Sequence, residues 1–280
     1  NRLAKIPNNG RQAIALVAAA AMFLSLFNWA MGLIMAGLLV RALARRADIV
    51  LDYRAAAAAA YLGLGATWSF GIGSLSAQLQ ANPASLPKPI LAITGIIPLS
   101  DTVLLWPSLA TLTVIFCLAM VIAAWSVPSK DRAVTASDLG IKEPIDTPQP
   151  AVSPRRPAEW LEHSPLLTIA IVALGATWLV LEFRLRGSAF LLSNLNTYNF
   201  LFLIVGMALH WRPRSYLNAV ARAVPTVSGV LIQFPFFGSI AAILTTATNA
   251  NGVSVSDHIA HGLATFTTVS IYPIVVALYS

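Results

Sequence analysis

Along the 280 residues, long apolar runs alternate with short polar stretches, and the longer runs reach the roughly 20 apolar residues a helix needs to cross about 30 Å of hydrocarbon. The runs occupy residues 12–40, 103–125, 166–181, 199–211, 224–246 and 262–279, a few of them short, and a seventh at 55–79 is broken in its middle. This pattern predicts six spanning helices and one broken segment. The interruption reads Thr67-Trp68-Ser69-Phe70-Gly71-Ile72-Gly73-Ser74. Backbone N–H and C=O groups at membrane depth find no water, so a break is tolerated only where protein or a wet cavity surrounds it. Residues 67–74 are therefore a candidate binding site.

Other punctuation divides the chain. Asn82-Pro83 ends the broken segment, because proline disfavours helix in the residue before it. A second break follows at Ile97-Pro98-Leu99-Ser100-Asp101-Thr102. Between 127 and 163, Pro128, Pro144, Pro148, Pro150, Pro154 and Pro157 are interleaved with charges of both signs, a composition that buries too little apolar surface to fold alone. This flexible linker separates a first membrane half, 1–126, from a second, 164–280.

Charge adds orientation. Arg41, Arg45, Arg46 and Arg54 cluster between two runs and place that loop in the cytoplasm, as do Arg212, Arg214 and Arg222 for a later one. With the linker also inside and 55–79 crossing once, only Arg2, Lys5, Arg11, Lys88, Arg184 and Arg186 of the 18 Lys and Arg residues fall outside. A re-entrant hairpin at 55–79 would reverse everything after it. The chain is 57% hydrophobic and 10% charged, against about 25% charged in soluble proteins, so an all-α polytopic membrane protein in contact with the lipid bilayer is expected. The net charge of +7 sits at helix ends and forms no continuous face, which argues against nucleic acid as a partner. Cys117 excludes an internal disulfide and reads as an apolar filler. His258 and His261 lack acidic or thiol companions at ligand spacing, and no cofactor or metal is implied. Asn1 in place of methionine, and an apolar run reaching Ser280, suggest an internal fragment.

Asn28-Trp29-Ala30-Met31-Gly32-Leu33 and the arginine-ended run after it resemble the bacterial short-chain fatty acid transporter family, the acetoacetate and butyrate uptake type. Three further stretches carry the likeness. They are Tyr61-Leu62-Gly63 with residues 66–74, then Ile96-Ile97-Pro98-Leu99-Ser100-Asp101-Thr102, then Asn196-Thr197-Tyr198-Asn199 through His210 to Val230-Leu231-Ile232-Gln233-Phe234-Pro235-Phe236. The resemblance implies an inverted-repeat secondary carrier of the bacterial cytoplasmic membrane, with broken or re-entrant helices holding substrate near the midplane and a homodimeric assembly. The glycine run usual after the tryptophan is reduced here to Ser69 and Phe70 ahead of Gly71, which bears on substrate preference. The matching segment of the second repeat is expected beyond Ser280.

A short carboxylate at the midplane needs hydrogen-bond donors, a small apolar pocket and no fixed negative charge nearby. A half-helix whose N-terminus ends at membrane depth supplies N–H groups and a partial positive charge. Gly71 and Gly73 let the backbone turn, Thr67, Ser69 and Ser74 offer hydroxyls, and Trp68 and Phe70 flank an alkyl chain or simply steady the bend. Asn28, beside Trp29, falls in mid-run, where its amide needs a partner: a neighbouring helix, the substrate or a cation. Gln233 raises the same question, with Pro235 predicting a second, weaker kink. Asp101 is the acid nearest a break, so it is either a proton carrier or the cap of a helix beginning at Thr102. Coupling through Asp101, or through sodium held by carbonyls and Asn28, are both open. Dicarboxylate or citrate transport on the same scaffold and a non-transporting scaffold are the alternatives. Metalloprotease, Gly-x-Gly-Asp and Gly-x-Ser-Gly signatures are missing from the spans, so an enzyme is not expected.

Overall fold

The computed structural model describes residues 2–86, 88–141, 157–268 and 270–279. It divides into two compact units, Asn1–Leu209 and His210–Ser280. Among the described residues the chain is helical without strands, save one antiparallel bridge between Thr248 and Ser254.

The first apolar run does not span. It forms α1 (Gly10–Ser25) and α2 (Trp29–Ala44), and the chain reverses over the three residues between them. The cause is local. Asn28 is extended (φ −158°, ψ 124°) and its Oδ1 accepts the N–H groups of Ala30 at 3.0 Å and Met31 at 3.1 Å. A side chain that bonds its own backbone competes with continued helix and starts a new one instead. Helices of 16 residues extend about 24 Å at roughly 1.5 Å per residue, short of the hydrocarbon thickness. The expected span at 12–40 is thus not one helix but an antiparallel helical hairpin. Both its ends lie on one side, where Arg46 donates to the carbonyls of Ala4 and Pro7, each at 2.7 Å.

The hairpin is held by small residues. In α1, Ala13, Ile14, Val17, Ala18, Ala21, Met22 and Ser25 recur at helical spacing and are buried. All of these but Ser25 form one cluster with Ala36, Leu39, Val40, Leu43, Ala56, Ala59, Ala60 and Ala123. A Cβ on Gly32 would lie 2.7 Å, and one on Gly63 2.3 Å, from the carbonyl oxygen of Ala21, so backbones meet there with no room for a side chain.

The broken segment runs on in one direction and is long and apolar enough to cross a membrane. α3 (Tyr53–Leu62) passes into one π turn (Gly63–Thr67), a 3-10 turn (Trp68–Phe70), extended chain at Gly71, and then α4 (Leu75–Gln80). After α5 (Lys88–Thr94) and a 3-10 turn (Leu99–Asp101), α6 (Trp106–Trp125) returns. Tyr53 N–H donates to the Val134 carbonyl at 2.8 Å, just past the end of α6, and Ile97 N–H donates to the Gln80 carbonyl at 3.2 Å, before its start. Residues 53–80 and α6 therefore run antiparallel between the same two ends. Of the linker, 127–141 folds back over the basic end, and 142–156 lie outside the described residues.

α7 (Pro157–His163) leads into α8 (Leu166–Ser193) and α9 (Leu195–His210). Instead of ending near 181, α8 continues through Glu182, Arg184 and Arg186, with an interruption at Gly187 (φ 79°). Glu182 pairs with Arg186 at 2.9 Å, whose guanidinium lies 4.5 Å over the Phe190 ring. α8 and α9 pack through Trp178 against Phe200 and through Gly175 against Ile204. Leu192 of α8 joins Ala77, Ala81, Leu99 and Val103 in a second apolar cluster.

In the second unit, α10 (Pro213–Thr246) is one continuous helix with Pro225 and Pro235 inside it, and Gln233 lies within it. Arg214 and Arg222, expected in a loop, belong to this helix. The run at 262–279 is not one span but α11 (Val255–Phe266) and α12 (Tyr272–Tyr279). Among the described residues three stretches are long and apolar enough to cross a membrane, Tyr53–Gln80, Trp106–Trp125 and Leu166–Ser188, beside several shorter apolar helices, as an all-α polytopic membrane protein requires.

Candidate functional site

The tip of the α1–α2 hairpin meets the break in the crossing segment. α3 has 10 residues before the π turn, about 15 Å at roughly 1.5 Å per residue, which sets the break near the middle of a bilayer about 30 Å thick. There Gly73 N–H donates to the Leu26 carbonyl at 2.9 Å and Thr67 Oγ1 donates to the Met22 carbonyl at 3.0 Å. A Cβ on Gly71 would fall 2.2 Å from the Leu26 oxygen, and one on Gly73 2.3 Å from the Phe27 oxygen. Neither glycine has positive φ. They serve close approach between two backbones, not the free turning expected of them.

Two helix N-termini open at this junction. That of α2 is capped by Asn28, so the Asn28 carbonyl is committed to the backbone and its amide NH2 has no hydrogen bond among the described residues. That of α4 follows Ser74, which is buried yet makes no cap bond, leaving its hydroxyl uncommitted and the first-turn N–H groups without a side-chain partner. Trp29, Trp68 and Phe70 are half-buried and Ser69 is exposed. Among the described residues Trp68 and Phe70 make no ring contact with each other. The structure thus brings together Asn28, Trp29, Thr67, Trp68, Ser69, Gly71, Gly73 and Ser74. Gln233 lies exposed in the second unit.

Asp101 is exposed in its 3-10 turn and accepts from Ser100 Oγ at 3.1 Å. It caps no helix, since α6 begins only at Trp106 with a proline in its first turn. Three buried polar residues escaped the sequence reading. Gln78 Nε2 donates to the Ile72 carbonyl at 2.8 Å and so fixes the far side of the break. Ser25 Oγ, fully buried against Gly32 and Gly63, has no hydrogen-bond partner among the described residues. Tyr198 donates its phenolic hydrogen to the Phe27 carbonyl. A polar side chain inside an apolar run was the available signal for Gln78 and Ser25, because each needs a partner there.

At the basic end, Asp52 starts α3. Burial pushes its carboxyl upward, but N–H groups of Val134 and Ala55 and the Arg54 guanidinium outweigh this and hold it below the usual carboxylate range. In the second unit, Ser254 and Asp257 form a capping box for α11. No group of three potential metal ligands occurs among the described residues.

The family model described as short chain fatty acid transporter matches residues 1–280. Two curated relatives, from Escherichia coli K12 and Haemophilus influenzae Rd, carry the name "Putative short-chain fatty acid transporter". The first is 30% identical over 76% of this chain and 47% of its own length. The second is 28% identical over 85% of this chain and 53% of its own length. The chain therefore spans about half the length of the curated relatives it matches. No solved structure matches. From end to end of its 280 residues, the chain belongs to the short-chain fatty acid transporter family.

Proposed function

We propose that the protein is a multi-pass secondary transporter of the bacterial cytoplasmic membrane that carries short-chain monocarboxylates such as acetoacetate or butyrate. The observation that carries this reading is the meeting of the hairpin tip with the crossing break, where two helix N-termini open at one point. The uncapped first turn of α4, the Ser74 hydroxyl and the Asn28 amide are donors suited to a carboxylate. Trp29, Trp68 and Phe70 offer apolar surface of the size a short alkyl chain needs. No arginine is among the described residues meeting at the junction, which favours one carboxylate over two.

The basic end of the first unit faces the cytoplasm in this reading. Arg2, Lys5 and Arg11, expected outside, share that end with Arg41, Arg45, Arg46 and Arg54, because the hairpin returns the chain to its starting side. Coupling is to a cation, and sodium fits better than a proton on Asp101. Asp101 is exposed, whereas the junction holds an uncommitted hydroxyl, Ser25 Oγ, beside backbone carbonyls.

The test is uptake of labelled butyrate and labelled succinate by the full-length protein in vesicles, with sodium or proton gradients imposed separately. Butyrate uptake driven by sodium is expected. Uptake of succinate alone would overturn the substrate assignment, and dependence on the proton gradient alone would overturn the ion.

A further inference from the structure

The three carbonyls at the hairpin tip cannot all be served by helix bonds, because they lie between α1 and α2. Their partners can be counted. Leu26 O accepts from Gly73 N–H and Asn28 O accepts from Gly32 N–H. Phe27 O accepts from Tyr198 of α9, and among the described residues this is the one partner of the three that is a side chain.

Tyr198 is built into its place. It is buried, its ring meets Phe202 edge-on at 5.0 Å between centroids, and the first turn of α9 is fixed by Asn194 Oδ1, which accepts from Thr197 N–H at 3.1 Å. α9 in turn is packed to α8 through Phe200 and Ile204. The phenol therefore connects the α8–α9 pair to the residue immediately before Asn28.

We propose that Tyr198 is a positioning residue: by holding the Phe27 carbonyl it makes the depth and angle of the hairpin tip follow α9, and so sets where Asn28 stands relative to the break at Gly73. The proposal deepens the carboxylate-site reading above and rests on it for its functional consequence, but the mechanical tie stands on the hydrogen-bond inventory alone. A carbonyl at membrane depth has no water to replace a lost donor, so the tip in a Tyr198→Phe variant loosens from α9 while the ring packing persists.

The experiment uses the full-length protein with Cys117→Ser and Ala30→Cys, which puts one thiol in the tip. Maleimide labelling rates at position 30 are compared for otherwise unchanged protein, for Tyr198→Phe, and for Phe202→Leu, which removes the ring contact but keeps the phenol. Labelling about ten-fold faster in Tyr198→Phe, as expected for one lost hydrogen bond, with little change in Phe202→Leu, is the expected result. Equal rates in Tyr198→Phe and its parent, or equal acceleration in both variants, would overturn the proposal. In parallel, Tyr198→Phe in the protein with Ala30 intact is expected to raise the half-saturating butyrate concentration about ten-fold at unchanged maximal rate per folded molecule, if the tip places the carboxylate donors. Should Tyr198→Phe speed labelling while unaltered protein takes up no butyrate, the tie stands and the substrate reading fails.

Discussion

Two apolar runs with a polar interruption near the middle lie next to each other in the chain, and they do opposite things. Residues 10–44 turn back at the interruption, whereas residues 53–80 pass through theirs. Chain reversal needs donors for the carbonyls of the turn, which Gly73 and Tyr198 supply, and an acceptor for the first N–H groups of the next helix, which is Asn28 Oδ1. Passing through needs the helix to loosen without changing direction. A π turn followed by a 3-10 turn does this, with Thr67 and Gln78 holding the two sides. What separates the two in the sequence is the flanking charge. The first run has arginines at both ends, Arg11 and Arg41, and the second has Arg54 at one end and Pro83 after the other. With the reversal in view, arginines at both ends fit a return to the same side under the positive-inside rule.

The most direct way to break this contrast is to ask which side each end occupies. In Cys117→Ser protein, single cysteines at Asn8 and Asp48 should both react with an impermeant thiol reagent from the cytoplasmic side, and one at Ala84 only from the opposite side. Labelling of positions 8 and 48 from different sides would restore the crossing helix and remove the hairpin.

Next in size is the contact between the two interruptions. Gly73→Leu has no space between the break and Phe27, so a loss of about 1–3 kcal/mol in stability is expected, read as a lowered melting temperature in detergent, with loss of uptake. A matching substitution at Gly37, which has open space around it, should cost a few tenths of a kcal/mol at most. Equal effects at both positions would mean that the two runs do not depend on each other. Asn28→Ala removes the cap of α2 and should destabilise by about 1 kcal/mol, while Asn28→Ser keeps a neutral acceptor and should recover most of that loss. If serine behaves as alanine does, capping is not what turns the chain.

The smallest effect is expected at the start of the crossing segment. Asp52 has its pKa depressed in the folded protein, so its stabilising contribution is present above the unfolded carboxylate value and is lost as pH falls through the lower folded one. Between pH 7 and pH 3 the unaltered protein should lose more melting temperature than Asp52→Asn, in which this slope is missing. Parallel curves would show that the Val134 and Ala55 bonds do not depend on the charge.

Much of this was legible from residues. The broken segment and the place of its break were found from glycines and hydroxyls in an apolar run, and α6 and α9 lie within a few residues of their expected ranges. The reversal at Asn28 was not, because a 29-residue apolar run has the length of a span, and length outweighed one asparagine. The extension of α8 through Glu182 to Arg186 was hidden for a related reason. Charges there suggest a headgroup, yet Glu182 and Arg186 are four apart and neutralise each other along the helix. Tyr198 was visible only as part of a family pattern, since nothing local to Asn196-Thr197-Tyr198-Asn199 says that its partner lies 171 residues earlier.

The hairpin also constrains how the protein is made. α1 and α2 leave the ribosome before α3 and α6 exist, and neither leg is long enough to stay across a bilayer by itself. The tip carries three carbonyls whose partners include Gly73 and Tyr198, both synthesised later. On the proposed orientation the pair would wait at the cytoplasmic interface, its arginines among the headgroups, until α3, α6 and α9 provide a protein-lined slot. Burial of the hairpin would then be a late, cooperative step of assembly, and variants that disturb the slot should accumulate as membrane-bound precursors with an unburied hairpin.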